Sequence, residues 1–264
     1  AETLGTFQYG DNIYATLDET GTLTLSGLNL TSENISATGD LTIKLEGENT
    51  LGSESYSDNV IFVRSGNLVI EEAGSLTVKN GNNAKTTIYA SDITINGGAK
   101  VSATHAGGGA QAIHASGGDG KIIISGAGTV VTAFHNGTGS NTSNDYVALK
   151  AGTIQISDGA KLTAKGEAKA VDGTLSVDNR ANYMIYAGES EPGTEKSDIT
   201  NLIDKYLKIE PKTAVPTALE EVTFGYAYDV QREPDYPTNV GDTIKTSGFD
   251  MPLIYDSTSN TGST

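Results

Sequence analysis

The chain of 264 residues has no cysteine and no tryptophan, and its six prolines all fall at or after Pro192. Without cysteine, neither disulfide staples nor thiol chemistry is available, although this absence does not fix the compartment. The lack of proline before Pro192 leaves the first part of the chain free to form unbroken sheet, because proline removes a ladder donor. Positive charge is scarce: 17 Lys and Arg stand against 33 Asp and Glu, a net charge of −16 at pH 7. Binding of nucleic acid or anionic membranes needs basic patches, so neither partner is expected. No stretch approaches the roughly 18 apolar residues of a membrane-spanning helix. The chain opens at Ala1-Glu2-Thr3 with neither an initiator Met nor a signal-peptide core. That is expected of a secreted or cell-surface protein whose leader has been removed.

What the chain does contain is a recurring phrase between Ile35 and Val177. Each copy holds a short apolar strand, a Gly/Asp/Asn corner, an alternating triplet, a second Gly corner and a third alternating strand. The triplets are Leu41-Thr42-Ile43, Leu68-Val69-Ile70, Ile93-Thr94-Ile95, Ile122-Ile123-Ile124, Ile154-Gln155-Ile156 and Leu175-Ser176-Val177, starting 27, 25, 29, 32 and 21 residues apart. Third strands follow at Ser75-Leu76-Thr77-Val78, Lys100-Val101-Ser102-Ala103, Val130-Val131-Thr132-Ala133 and Lys161-Leu162-Thr163-Ala164. Alternate side chains of a strand face opposite sides, so Leu-x-Ile points two aliphatics inward and one residue outward. One repeat cannot bury its inner face alone, whereas stacked repeats form a continuous aliphatic interior. Glycine supplies the positive φ of the corners. The pattern predicts an all-β fold: a single-stranded parallel β-helix of about six to eight rungs. A sandwich would not repeat three strand types in one order. The longest interval holds Asn136–Asp145, a polar stretch expected to be a loop insertion.

Three segments are expected. Residues 1–34 form an N-terminal cap, with strands at Thr22–Leu25 and Leu28–Leu30, since a bare terminal rung exposes core and strand edges. Residues 35–210 form the β-helix. A closing cap is expected from strands at Tyr183–Ala187 and Tyr206–Ile209, with Asp198 as N-cap of a short helical turn over 199–204. Residues 211–264 form a small β appendage or the start of a neighbouring module. Its strands are expected at Val222–Tyr228, Thr243–Lys245 and Pro252–Tyr255, before a polar tail of nine residues. Capped ends oppose end-to-end fibres, so a monomer is expected.

The run Gly21-Thr22-Leu23-Thr24-Leu25-Ser26-Gly27-Leu28, with Ile35-Ser36-Ala37 and Gly39–Leu51, resembles the opening of a bacterial group. These are the surface β-helix proteins of the carbohydrate-binding-domain, pectate-lyase-like superfamily, of the kind displayed by gut Firmicutes. Tyr186-Ala187-Gly188 and Lys205–Ile209 resemble the way such domains close. The likeness spans about residues 20–210 and rests on pattern. It implies a right-handed β-helix, an extracellular or cell-wall setting, and a role in carbohydrate binding or adhesion to a polysaccharide or host glycan. Some relatives bind calcium and acidic or cellulosic polysaccharides. Their paired-acid repeat, of the Asp-Asp-Gly-Ile type, has no counterpart here.

Catalysis on such a fold needs two acids flanking a glycosidic bond, or a base beside an acid-neutralising cation. The outward column of the first strands is expected to run Ser36, Val63, Tyr89, His114, Leu149 and Asp172, which holds one acid and one imidazole. Asp40, Asp92, Asp119 and Asp158 are expected to bond their own backbone at corners. No catalytic residue is therefore assigned, and a polysaccharide lyase or glycoside hydrolase is the runner-up function. A structural stalk presenting other domains is the third. Gly117–Ile122 begins like the Gly-rich calcium nonapeptide, but Ile122 stands where that motif has Asp. No cofactor is assigned. His105 and His135 align on adjacent rungs, about 5 Å apart, as a candidate metal pair without a third ligand. The competing view makes them solvated loop histidines. The candidate glycan-binding residues are Tyr89 and His114, outward on neighbouring first strands, with Phe134 extending the platform. The alternative covers Tyr89 with the 136–145 loop or the C-terminal appendage. The sequons at Asn29, Asn34, Asn136 and Asn141 fit turn composition.

Overall fold

The structure is a computed structural model that describes residues 5–9, 12–81, 84–137, 146–212, 243–246 and 249–252. It divides into two units, Ala1–Thr213 and Ala214–Thr264. Among the described residues, the first unit is all-β apart from one short 3-10 turn at Arg180–Asn182. Its strands run mostly parallel, in a curled 13-stranded sheet and a 9-stranded sheet.

The six triplets lie side by side in register, Leu41 beside Leu68, Ile93, Ile122, Ile154 and Leu175 in turn. Alternation decides which side chains go inside. Ile43, Leu68, Ile70, Ile93, Ile95, Ile122, Ile124, Ile154 and Ile156 have no exposed surface. The third strands form an equally regular column, in which Leu76, Val101, Val131 and Leu162 are neighbours. First strands at Ile35–Ala37, Ile61–Val63, Ile88–Ala90 and Ile113–Ala115 make another, joined by the long strands Val147–Ser157 and Lys169–Val177. Each fully buried aliphatic contributes roughly 1.5–3 kcal/mol, so this interior needs no helices. One polar residue interrupts it at the start. Asn49 stands where later repeats carry Leu76 and Val101, and its amide is fully used. Its Oδ1 accepts from the Leu28 N–H at 2.9 Å, and its Nδ2 donates to the carbonyls of Glu46 and Ser75, both at 3.2 Å.

The corners are held across repeats. Gly98, Gly128 and Gly159 occupy the same corner with φ of 86°, 85° and 83°, a conformation that side-chain-bearing residues rarely adopt. Asp40 and Asp92 correct the expectation of self-bonded turns. Asp40 Oδ1 accepts from the Asn67 N–H of the next repeat at 2.7 Å, and Asp92 Oδ1 from the Lys121 N–H at 2.8 Å. A parallel stack leaves a corner N–H of the adjacent repeat nearer than any local one. Asp119 and Asp158 sit in turns, and Asp158 Oδ2 accepts from the Ser157 hydroxyl at 2.9 Å. Asp92→Ala is expected to lower stability by about 1 kcal/mol, the worth of a charge-assisted bond at an exposed corner. Urea unfolding checks this, and an unchanged midpoint would remove the stapling role.

Both ends of the stack change strand direction. Gly5–Tyr9 and Asn12–Leu17 pair antiparallel before Thr22–Ser26. At the other end Tyr206–Pro211 pairs antiparallel with Lys161–Lys165 and with Tyr183–Gly188. The Tyr183 hydroxyl there accepts from the Gly159 N–H at 2.7 Å. Between them Asp198 accepts from the Thr200 N–H at 2.8 Å in a turn, and no helix forms over 199–204. Such a bond is satisfied by a turn alone when no apolar periodicity follows.

In the second unit Thr243–Thr246 pairs antiparallel with Phe249–Pro252. The second of these strands lies three residues earlier than its expected Pro252 start, because hairpin register follows the strand pairing rather than the apolar run. The expected strand at 222–228, the loop at 138–145, residues 253–255 and the polar tail lie outside the described residues.

Candidate functional site

An outward row crosses the first-strand column: Ser36, Phe62, Tyr89, His114, Lys150 and Asp172 are successive register neighbours. This corrects two members of the expected row. Val63 and Leu149 are fully buried, and Phe62 and Lys150 take their places outside. The reason is alternation. In Ile61-Phe62-Val63 the flanking aliphatics belong inside, and Leu149 pairs with Ile113, which leaves Lys150 beside His114.

The aromatic members touch. The Phe62 and Tyr89 ring centroids are 5.3 Å apart at 42°, and Tyr89 meets His114 edge-on at 5.4 Å. All three rings are half-buried, leaving a partly wetted aromatic strip. The Arg64 guanidinium lies 6.0 Å from the Phe62 centroid. Such rings offer an apolar face with polar edges.

The strip leads into a cavity of about 750 Å³. Its wall includes His114, Lys150, Lys169 and Asp172, together with Ile199 and Ile203. Lys169 Nζ donates to Asp172 Oδ1 at 2.6 Å. Ile203 is 79% exposed, unusual for an aliphatic among otherwise enclosed ones. The sequence did not point to this wall. Residues 199–203 come from a loop far along the chain, and loops carry no periodicity to read.

Phe134 is not part of the strip. It lies on the outer side of the third-strand column, with Thr104 and Lys165 as register neighbours. First and third strands belong to different sheets, so an aromatic on one does not continue a row on the other.

His105 and His135 do come together. They are register partners with ring centroids 5.0 Å apart. Both side chains are completely buried, which overturns the view of them as solvated loop residues. They point inward because they continue the alternation Val101, Ala103, His105 and Val131, Ala133, His135. Asn80 precedes them in the same column and is likewise fully buried, with the partly exposed Ser53 before it. Asn80 donates through Nδ2 to the carbonyls of Asp58 and Lys85, both at 2.9 Å. Burial, reinforced by the neighbouring His135, pushes the His105 imidazole down to about 4. Burial lowers His135 as well, partly offset by its own backbone, by the Glu167 charge and by the Ala110 backbone, neither backbone group reaching hydrogen-bond geometry with the ring. Neither ring nitrogen of His135, nor Nε2 of His105, has a hydrogen-bond partner. A buried polar atom left in that condition costs about 1–3 kcal/mol. Tyr146 packs against the His135 ring at 5.2 Å. Among the described residues no group of three or more His, Cys, Asp or Glu is placed to hold a metal ion.

No family model matches this chain, and no curated protein or solved structure does either.

Proposed function

We propose that this chain is a non-catalytic carbohydrate-binding or adhesion module of a secreted or cell-surface protein. In this proposal the parallel strands wind as a single right-handed β-helix of the pectate-lyase-like kind, which the sequence resembles. The observation that carries the function is the Phe62–Tyr89–His114 strip opening into the Lys150–Asp172 cavity. A pyranose has an apolar face that stacks on an aromatic ring and hydroxyls that need donors and acceptors at its rim. The strip supplies the first. Lys150, Lys169 and Asp172 supply the second. Adjacent strands lie about 4.8 Å apart, so consecutive rings sit at a spacing near that of successive sugars in an extended chain.

Polysaccharide cleavage is the runner-up, since Lys169, Asp172 and His114 are all capable of proton transfer. Against it, Asp172 is the one carboxylate among the described residues lining the cavity, whereas glycosidic hydrolysis uses two. Incubation with pectin, alginate and glycosaminoglycans, followed by assay for released products, separates the two functions. A glycan array with and without calcium separates binding from a passive stalk. Tyr89→Ala is expected to weaken binding to any glycan retained by roughly 3–10-fold, the worth of one aromatic contact, with unfolding unchanged. Equal affinity in that variant removes the strip from the function.

A further inference from the structure

We propose that the cavity beside the aromatic strip selects sugars carrying an acetamido group, with Ile203 and Asn201 as the residues that read it. The inference rests on the carbohydrate-binding reading above and names the substrate class of that same site. It begins with Ile203, the one large hydrophobic side chain exposed among the described residues, which lies in the cavity wall. Its loop is tied down at both ends. The Lys196 N–H donates to the Ile185 carbonyl and the Ala170 N–H to the Asp204 carbonyl, both at 2.8 Å. Lys196 Nζ and Asp204 Oδ1 close the loop at 3.6 Å, and Asp198 caps its first turn through the Thr200 N–H at 2.8 Å. Ile203 immediately precedes Asp204, so the backbone fixes it close to Val171 and Asp172 of the same wall. An aliphatic held exposed by an anchored loop, with Ile199 and Leu202 lining the same cavity, offers an apolar contact at a fixed place.

The chemistry of the wall selects the substituent. A plain hexose carries hydroxyls around its rim, and pressing one against Ile203 strips its water without replacing the hydrogen bonds. An acetamido group brings a methyl for the aliphatic, a carbonyl that accepts and an N–H that donates. Asn201, exposed in the same wall, presents a carboxamide with the complementary donor and acceptor. Its backbone is left-handed, with φ of 56°, a conformation that asparagine tolerates better than most residues. A 6-deoxy sugar or a methyl ester would also supply a methyl, but neither brings an N–H for the Asn201 oxygen to accept. Size agrees: about 750 Å³ lies within the range of small-ligand sites and holds roughly two or three sugar residues.

The test uses the whole chain and matched pairs of sugars. Chitotriose and cellotriose differ in carrying acetamido or hydroxyl beside each linkage, and methyl N-acetylgalactosaminide is set against methyl galactoside in the same way. Saturation-transfer NMR gives both affinity and the ligand protons in contact. The acetamido member of at least one pair is expected to bind about 10-fold tighter, with its methyl the most strongly saturated group. Ile203→Ser, at an exposed site, is expected to leave the urea midpoint unchanged. It should lower affinity for the acetamido sugar by about 3–10-fold and dim the methyl signal relative to the ring protons. Asn201→Gly, which keeps the left-handed backbone, is expected to reduce the preference by a similar factor. Tyr89→Ala should instead weaken both members of a pair alike. Equal affinity within both pairs, an unsaturated methyl, or an Ile203→Ser loss shared by both members would overturn the acetamido inference and leave the carbohydrate-binding reading standing. A glycan array that retains only sugars without acetamido does the same. An array that retains nothing removes both.

Discussion

Ile93→Ala is expected to destabilise the first unit by roughly 2–5 kcal/mol, while Thr94→Ala one residue on changes stability by less than about 0.5 kcal/mol. Ile93 has no exposed surface and is flanked in register by Leu68 and Ile122. Its neighbours are pinned by ladder hydrogen bonds on both sides, so they relax little into the space left by the lost atoms. A cavity that cannot collapse carries the upper range of such penalties. Thr94 points out, between Val69 and Ile123, and truncating it empties nothing. Urea unfolding of the two variants against wild type measures both. A loss under about 1 kcal/mol for Ile93→Ala would mean that the aliphatic columns do not supply the stability assigned to them. Because each repeat packs mainly on its neighbours, the effect is also expected to differ with position. Leu25, at the first strand of the column, has antiparallel neighbours on one side and is the natural comparison.

How much of this was legible in the sequence depends on how far alternation was followed. The six triplets were readable because Leu-x-Ile repeats with its corner glycines, and the ladder in the structure matches them residue for residue. The outward row was misread at Val63 and Leu149 for want of the same rule, since both are aliphatics beside a better outward residue. His105 and His135 were visible as a pair, but not as an inward one. A polar side chain at a strand end suggests a loop, and only the parity with Val101 and Ala103 places it inside. The cavity wall was beyond reach. Ile199–Ile203 is joined to Lys150 and Asp172 by tertiary packing alone, and no local pattern encodes that. The corner aspartates fall between: their residue type announced a turn, whereas their partners, Asn67 and Lys121, lie 27 and 29 residues away.

The buried pair makes the protein acid-sensitive. His105 titrates near 4 in the fold, against an ordinary imidazole value of about 6.5. Between those two values the unfolded chain takes up a proton that the folded chain refuses. Stability therefore rises with pH across this window and is lost as pH falls through it. The contribution is fully present above the unfolded value and gone below the folded one. A difference of this size corresponds to about 3 kcal/mol at His105. His135, also lowered by burial, adds in the same direction, with Glu167 opposing. Surface carboxylates complicate the lower end, because an acidic chain sheds charge as pH falls. The variant His105→Asn isolates the imidazole, since it leaves every carboxylate in place. Urea midpoints measured from pH 7 down to about 5 are expected to fall more steeply for wild type than for His105→Asn. Parallel lines for the two proteins would mean that His105 is protonated as easily inside the fold as outside it, and hence that its surroundings are wet. That outcome would contradict the complete burial from which the inward column was derived.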